Sequence, residues 1–146
     1  MSGPVLCVTL AGRSAAIDAA AVHSVVELGA LTPVPRAPAH ILGLAALRSR
    51  TLTVIDSRAA LGLAAAPGPL PAGQQAVITD IDGHAYALLV DDVAGVSDLA
   101  GEPEPIIGRA GPGWERVARG AGDTAFGPAL LIDLPALVAG LPAMAA

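Results

Sequence analysis

The stretch 32–63, TPVPRAPAHILGLAALRSRTLTVIDSRAALGL, constrains the fold more than any other part of the chain. Pro33, Pro35 and Pro38 alternate with small residues, so three backbone donors are missing. Such a segment must hug a surface rather than enter a sheet interior. Residues 38–44 then read as a helical turn with Ile41, Leu42 and Leu44 as its apolar positions. Strands at 44–47 and 51–55 follow, joined at Arg48-Ser49-Arg50, and 59–63 reads as a short helix or turn ending at Gly62. This is a connector that holds a strand pair at a fixed angle. Nothing in it is arranged for catalysis.

Short strands account for most of the remainder. Residues 5–10 and 14–18 flank a tight turn at Ala11-Gly12-Arg13, and Val22, Val25, Val26 and Leu28 form an apolar run into the proline segment. Residues 64–75, AAAPGPLPAGQQ, read as an exposed mid-chain loop. Beyond it, 76–81 and 84–90 form a hairpin around Asp82-Gly83, a pair that tolerates the positive φ of a two-residue turn. Then come a strand at 92–99, a Pro/Gly-rich loop at 101–113, strands at 114–120 and 129–132, and a helix from Pro135 within 134–141. The two halves echo each other: Gly12, Ile17-Asp18 and Val22-x-x-Val25 against Gly83, Val90-Asp91 and Val93-x-x-Val96. That weak repeat fits two small barrels better than one sandwich, and closure protects so many short strands from edge pairing.

Composition narrows the function classes. The chain is 53% hydrophobic yet has one Phe, one Tyr and one Trp, so its core must be aliphatic. Base-stacking platforms need aromatics, and a net charge of −5 opposes phosphate backbones, so no nucleic-acid partner is expected. The lone Cys7, in an apolar run, excludes a disulfide framework and a cysteine metal cluster, and reads as a small buried hydrophobe. The N-terminus lacks the basic and apolar regions of a signal peptide. The apolar stretch 129–146 is broken by Asp133, Pro135 and Pro142, short of the roughly 20 uncharged residues of a membrane span. A cytoplasmic chain with no direct membrane insertion is expected.

A longer pattern runs through these elements. Val22, Val25, Thr32, Val34, Pro35, Ala37, Pro38, His40, Ile41, Gly43, Leu47 and Arg48 are followed, after the turn, by Leu52, Val54, Ile55, Asp56, Arg58, Leu61 and Gly62, in one register. Leu89-Val90-Asp91-x-Val93-x-x-Val96, Ala118-Arg119-Gly120 and Leu130-Leu131-Ile132-Asp133-Leu134 extend it to the end. In these residues the chain resembles the CheW-like family, the coupling proteins of bacterial chemotaxis, over essentially its whole length. It departs from the family pattern at Ser24 (usually Glu), Ala46 (Asn), Ser49 (Gly), Thr53 (Pro) and Ser57 (Leu). Serine is poorer than glycine at positive φ, so either the turn is reshaped or Ser49 is strained.

The resemblance implies an all-β fold with short helices: two intertwined five-stranded SH3-like barrels around a shared hydrophobic core. It implies one domain over 1–141 with two barrel subdomains, and a tail at 142–146. It also implies a non-enzymatic adaptor without a cofactor, linking the regulatory domain of a chemotaxis-type histidine kinase to the cytoplasmic tip of a chemoreceptor, clustered at membrane-bound receptor arrays. Such a role uses apolar patches on barrel edges, with rim charges choosing the partner.

The candidate partner-binding residues are Arg48, Ser49, Val22, Ser24, Val25, Val26, Asp56 and Arg58. Arg48 lies at a turn tip, where a guanidinium reaches carboxylates on a partner helix, or else ties down local carbonyls. Val22, Val25 and Val26 line a docking edge or belong to the core. Ser24 removes a rim carboxylate. Asp56 and Arg58, two apart on a strand, share a face and read as making a structural ion pair with the barrel or the Pro35–Pro38 segment, ahead of a ligand site.

His84, Asp91 and Asp92 are the residues for a competing enzyme or ligand-binding reading. Neighbours on a strand point to opposite faces, so Asp91 and Asp92 do not readily share an ion, and Asp91 reads as a strand-end residue satisfying backbone donors. His23, His40 and His84 lack partners at metal-ligand spacing, and His40, often aromatic in the family, reads as a packing residue. The glycine-rich pieces at 68–71 and 111–113 precede no phosphate-binding helix. Three functions stay open: a chemotaxis coupler, an auxiliary coupler or competitor in a pilus, surface-sensing or developmental pathway, and a small β-barrel enzyme or binding protein.

Overall fold

Strand β1 (Pro4–Leu10) is buried at nearly every position beyond its first, which a strand achieves only when both of its faces are covered. The computed structural model describes residues 3–63, 70–106 and 110–140. Along the chain β1 is followed by β2 (Arg13–Asp18), β3 (Val22–Glu27), β4 (Ile41–Leu47), β5 (Arg50–Ile55), α1 (Ser57–Ala60), β6 (Gln75–Ile81) and β7 (His84–Leu89). The second part runs through β8 (Asp92–Asp98), β9 (Ala100–Glu104), α2 (Pro112–Val117), β10 (Ala118–Thr124), β11 (Gly127–Ile132) and α3 (Leu134–Ala139).

These strands form two sheets. One has five strands in the order β3-β6-β7-β5-β4, and the other six in the order β8-β1-β2-β11-β10-β9. The all-β, two-barrel architecture is as the resemblance implies, with a sixth strand added to one barrel. The five-stranded sheet uses a continuous part of the chain, whereas the six-stranded one joins the N-terminal hairpin to the C-terminal strands. That is how the barrels intertwine.

The weak echo in the sequence is a true repeat in space. The β1–β2 and β6–β7 hairpins both turn through two residues of positive φ, Ala11 (49°) and Gly12 (81°) in one, Asp82 (52°) and Gly83 (82°) in the other. After each hairpin the chain crosses to the opposite sheet and becomes its edge, β3 or β8. Both edges carry a register shift at corresponding points, around His23 and around Ala94. Each barrel then closes with a parallel pairing, β5 on β7 and β11 on β2.

Even the barrel interiors match. Ala76, Ile78, Ala87, Leu52 and Val54 in one occupy the places of Val5, Cys7, Ala16, Ala129 and Leu131 in the other. The opposite faces of these strands meet in a third core, where Leu6, Val8 and Ile17 pack with Val77 and Leu88. Burying an aliphatic side chain contributes about 1.5–3 kcal/mol, so this shared layer holds the barrels to each other.

Three short helices cover it. Asp56 caps α1 by accepting the Arg58 and Ala59 N–H groups, and Asp133 caps α3 by accepting that of Ala136. From α2, the Arg116 guanidinium donates to the carbonyls of Ala60 and Ala136, tying all three helices together.

Three local expectations are corrected. Residues 41–44 belong to strand β4, not a helical turn, because the ladder to β5 takes their backbone groups. Residues 112–117 form α2 rather than a strand: Trp114 and Val117, both buried, lie three apart on one helical face, and Pro112 suits the first turn. Within the expected loop 101–113, β9 pairs with β10 as an edge strand that tolerates Pro103. Parts of three expected features lie outside the described residues: 64–69 of the mid-chain loop, 107–109 of the second loop and the tail at 142–146.

Helix α2 approaches α1 so closely that a Cβ on Gly113 would collide with the Leu61 carbonyl. Gly113→Ala is therefore expected to cost about 1–3 kcal/mol, read as a lower midpoint in denaturant unfolding.

Candidate docking groove

Strands β3 and β4 are the two edges of the five-stranded sheet, and the gap between β3 and the β4–β5 hairpin stays open as a groove of about 460 Å³. From β3 come Ser24, Val25 and Val26, and from the hairpin Leu47, Arg48 and Ser49. Leu52 and Ile78, both deeply buried, form the floor. Five of the eight candidates thus meet in one place: Arg48, Ser49, Ser24, Val25 and Val26. Val25 is exposed on the edge, while Val26 packs onto the barrel core.

The other three lie elsewhere. Val22 turns inward against the shared core. Asp56 and Arg58 do not share a strand face. Asp56 is the buried N-cap of α1, its carboxylate 3.0 Å from the Arg58 N–H, and Arg58 belongs to that helix. The cap satisfies the Asp56 carboxylate with backbone donors, which removes the expected ion pair.

The hairpin turn resolves the question raised by Ser49. Positive φ falls on Arg48 (56°), and Ser49 is not among the residues with positive φ. The turn is reshaped so that the strain lies under the guanidinium. Such a conformation costs a non-glycine residue about 1–2 kcal/mol.

Two arginines flank the groove with different fates. Arg50 pairs with Asp80 at 2.6 Å, an exposed contact between the hairpin and β6. Among the described residues the only other ion pair is Arg119 with Asp133, so Arg48 has no carboxylate partner there. The sequence reading missed Asp80, which is far from Arg50 along the chain and meets it only through barrel curvature. The alternation Arg48-Ser49-Arg50 was the available signal.

Remaining candidates have local roles. His40 is buried, its Nε2 3.0 Å from the Val138 carbonyl oxygen, a packing position at the foot of β4. The Asp91 carboxylate accepts the Gly12 N–H at 2.9 Å, the strand-end role expected of it. His84 starts β7 in the five-stranded sheet, whereas Asp92 starts β8 in the six-stranded one, and among the described residues no three His, Cys, Asp or Glu side chains gather as a metal site. No described helix is long and apolar enough to cross a membrane.

The Arg50 hydrogen bond holds the Asp80 carboxyl below its usual range, with the Arg50 and His23 charges adding to the effect against a smaller desolvation. A carboxyl held low in the folded state stabilises that state above the ordinary value of about 3.9. The contribution fades as pH falls through the depressed value. Arg50→Gln is expected to move the Asp80 titration upward, followed by carboxyl carbon NMR shifts; identical titration in both chains would mean the pair is not formed in solution.

A family model for the CheW-like domain matches residues 4–141. The chain is 35% identical over 79 residues to the chemotaxis protein CheW of Rhizobium meliloti (strain 1021), a stretch that covers 52% of this chain and 50% of that protein. It thus spans about half the length of that curated relative. The fold is similar to the crystal structure of the scaffolding protein TtCheW from Thermoanaerobacter tengcongensis, with a TM-score of 0.74 and 25% identity over 92% of this chain and 86% of that one. The family match takes in both sheets, both edge strands and the hairpin carrying Arg48, and the chain belongs to the CheW-like domain family.

Proposed function

We propose that this protein is a non-enzymatic scaffold of chemotaxis-type signalling. It couples the cytoplasmic tip of a chemoreceptor to the regulatory domain of a histidine kinase, in the cytoplasm beside receptor arrays. Family membership supports the general role, as do the names of its relatives, a chemotaxis protein and a scaffolding protein. The two barrels act as one domain in this reading, because they share the layer of Leu6, Val8, Ile17, Val77 and Leu88.

The observation that carries the reading is the groove itself. Its floor of Leu52 and Ile78 is apolar, Arg48 on its rim has no acidic partner among the described residues, and there the residues of the competing enzyme reading do not converge. An apolar centre with a charged rim is what a protein-binding surface needs.

Co-purification with a receptor-tip fragment and with the kinase regulatory domain tests the role, and failure of both to bind at tens of micromolar would contradict it. Arg48→Glu is expected to weaken binding at least about tenfold. Arg48→Gly should weaken it too while leaving the melting temperature unchanged or higher, since glycine suits the positive φ. Asp56→Ala should do the reverse, losing about 1 kcal/mol of stability with affinity preserved in titration calorimetry.

A further inference from the structure

The repeat supplies an internal comparison for the groove. In the six-stranded barrel its counterpart lies between β8 and the β10–β11 hairpin. Val93-Ala94-Gly95-Val96 stands where β3 has Val22-His23-Ser24-Val25, and the turn residues Ala125-Phe126 stand where the other hairpin has Arg48-Ser49. There the gap is closed by the chain itself. The Ala125 N–H donates to Ser97 Oγ at 2.8 Å, and the Phe126 ring lies over Gly95 so closely that an added Cβ would sit 3.0 Å from it. Phe126, the only phenylalanine in the sequence, remains 51% exposed in this position.

The five-stranded barrel lacks both halves of that closure. Ser24 replaces the glycine, Ser49 replaces the phenylalanine, and the gap is left as the open groove over Leu52 and Ile78. The Ser24 side chain occupies part of the space that Gly95 leaves for the ring, but the buried Leu52 and Ile78 still give the open groove an apolar floor on which a large side chain can be seated. The charge on its rim is also selective. Among the described residues no carboxylate lines it, Arg50 is already held by Asp80, and Arg48 is left as a cation on a chain of net charge −5. A guanidinium at the edge of an apolar site favours an acidic partner, and the pair strengthens as water is excluded.

We infer that the groove takes a large apolar side chain, such as a phenyl ring, carried beside a carboxylate on a partner segment, with the carboxylate paired to Arg48. This rests on the docking role proposed above and names the chemistry of what docks. Asp80 sets the strength of the site by occupying Arg50, so the groove presents one cation instead of two.

The test is titration calorimetry of the wild-type chain, Ser49→Phe, Ser24→Glu and Asp80→Asn. The ligands are a synthetic helical peptide with Phe and Glu on adjacent turns, its Glu→Gln version, a receptor-tip fragment and the kinase regulatory domain. Ser49→Phe supplies one half of the other barrel's closure, a phenyl ring on the turn beside the groove, and is expected to weaken the acidic peptide at least about tenfold at an unchanged melting temperature. Ser24→Glu places a carboxylate in the same groove as Arg48 and should weaken it several-fold. Asp80→Asn releases Arg50 and should tighten it. The Glu→Gln peptide should be insensitive to the last two changes.

Equal affinity of the acidic peptide for wild type and Ser49→Phe, or indifference to Ser24→Glu and Asp80→Asn, overturns the inference. The two readings fail separately. Protein fragments that bind wild type and Ser49→Phe equally well remove the groove assignment and leave the scaffold role. A peptide that follows the expected order while neither fragment binds keeps the groove chemistry and removes the scaffold role.

Discussion

The aliphatic layer between the barrels is the constraint on which the rest depends. Leu6, Val8 and Ile17 from one hairpin pack with Val77 and Leu88 from the other, while alternate residues of the same strands fill the barrel interiors. A strand buried on both faces reads as a continuous apolar run, which is why a chain with three aromatics is still 53% hydrophobic. The layer also dictates the connections. Each hairpin must lie in one sheet with its back to the other, and the chain escapes by crossing over and ending as an edge strand.

The edges are therefore where the two repeats are free to differ, since the interiors match position for position. In the six-stranded barrel the edge is covered by the turn holding Phe126, bound to Ser97 and seated on Gly95. In the five-stranded barrel the turn holds Arg48 in a positive-φ conformation and leaves the edge open. The positive φ of Arg48 closes the β4–β5 hairpin as that of Ala11 and Asp82 closes the other two, and in the role proposed above it sets the guanidinium beside the groove. On the proposal above, the closed edge serves stability and the open one is the surface that meets a partner.

Much of the fold was legible from local chemistry. Asp82-Gly83 announced its hairpin, and the period-two strands around it were correctly placed. Helix α2 was missed because Gly111-Pro112-Gly113 reads as the end of a loop and 114–120 as the strand after it, although Trp114 and Val117 already had helical spacing. The Asp56 cap was missed because Ile55-Asp56 reads as a strand end until the chain is seen to turn away from the sheet. The site was legible in part. The Arg48 turn and the β3 edge stood out through the family pattern, whereas Val22, Asp56 and Arg58 match that pattern at positions that shape the core and a helix cap. The Arg50–Asp80 pair and the closure by Phe126 depend on barrel curvature, which no local signal encodes.

Backbone amide shifts of the isotope-labelled chain, mapped during titration with a receptor-tip fragment, test the central claim most directly. The account predicts that the perturbed amides cluster at Ser24–Val26 and Leu47–Arg50, with the corresponding positions of the closed repeat, Gly95–Ser97 and Thr124–Gly127, unmoved. Perturbations centred on the Phe126 turn and β8, with the Arg48 groove silent, would contradict it.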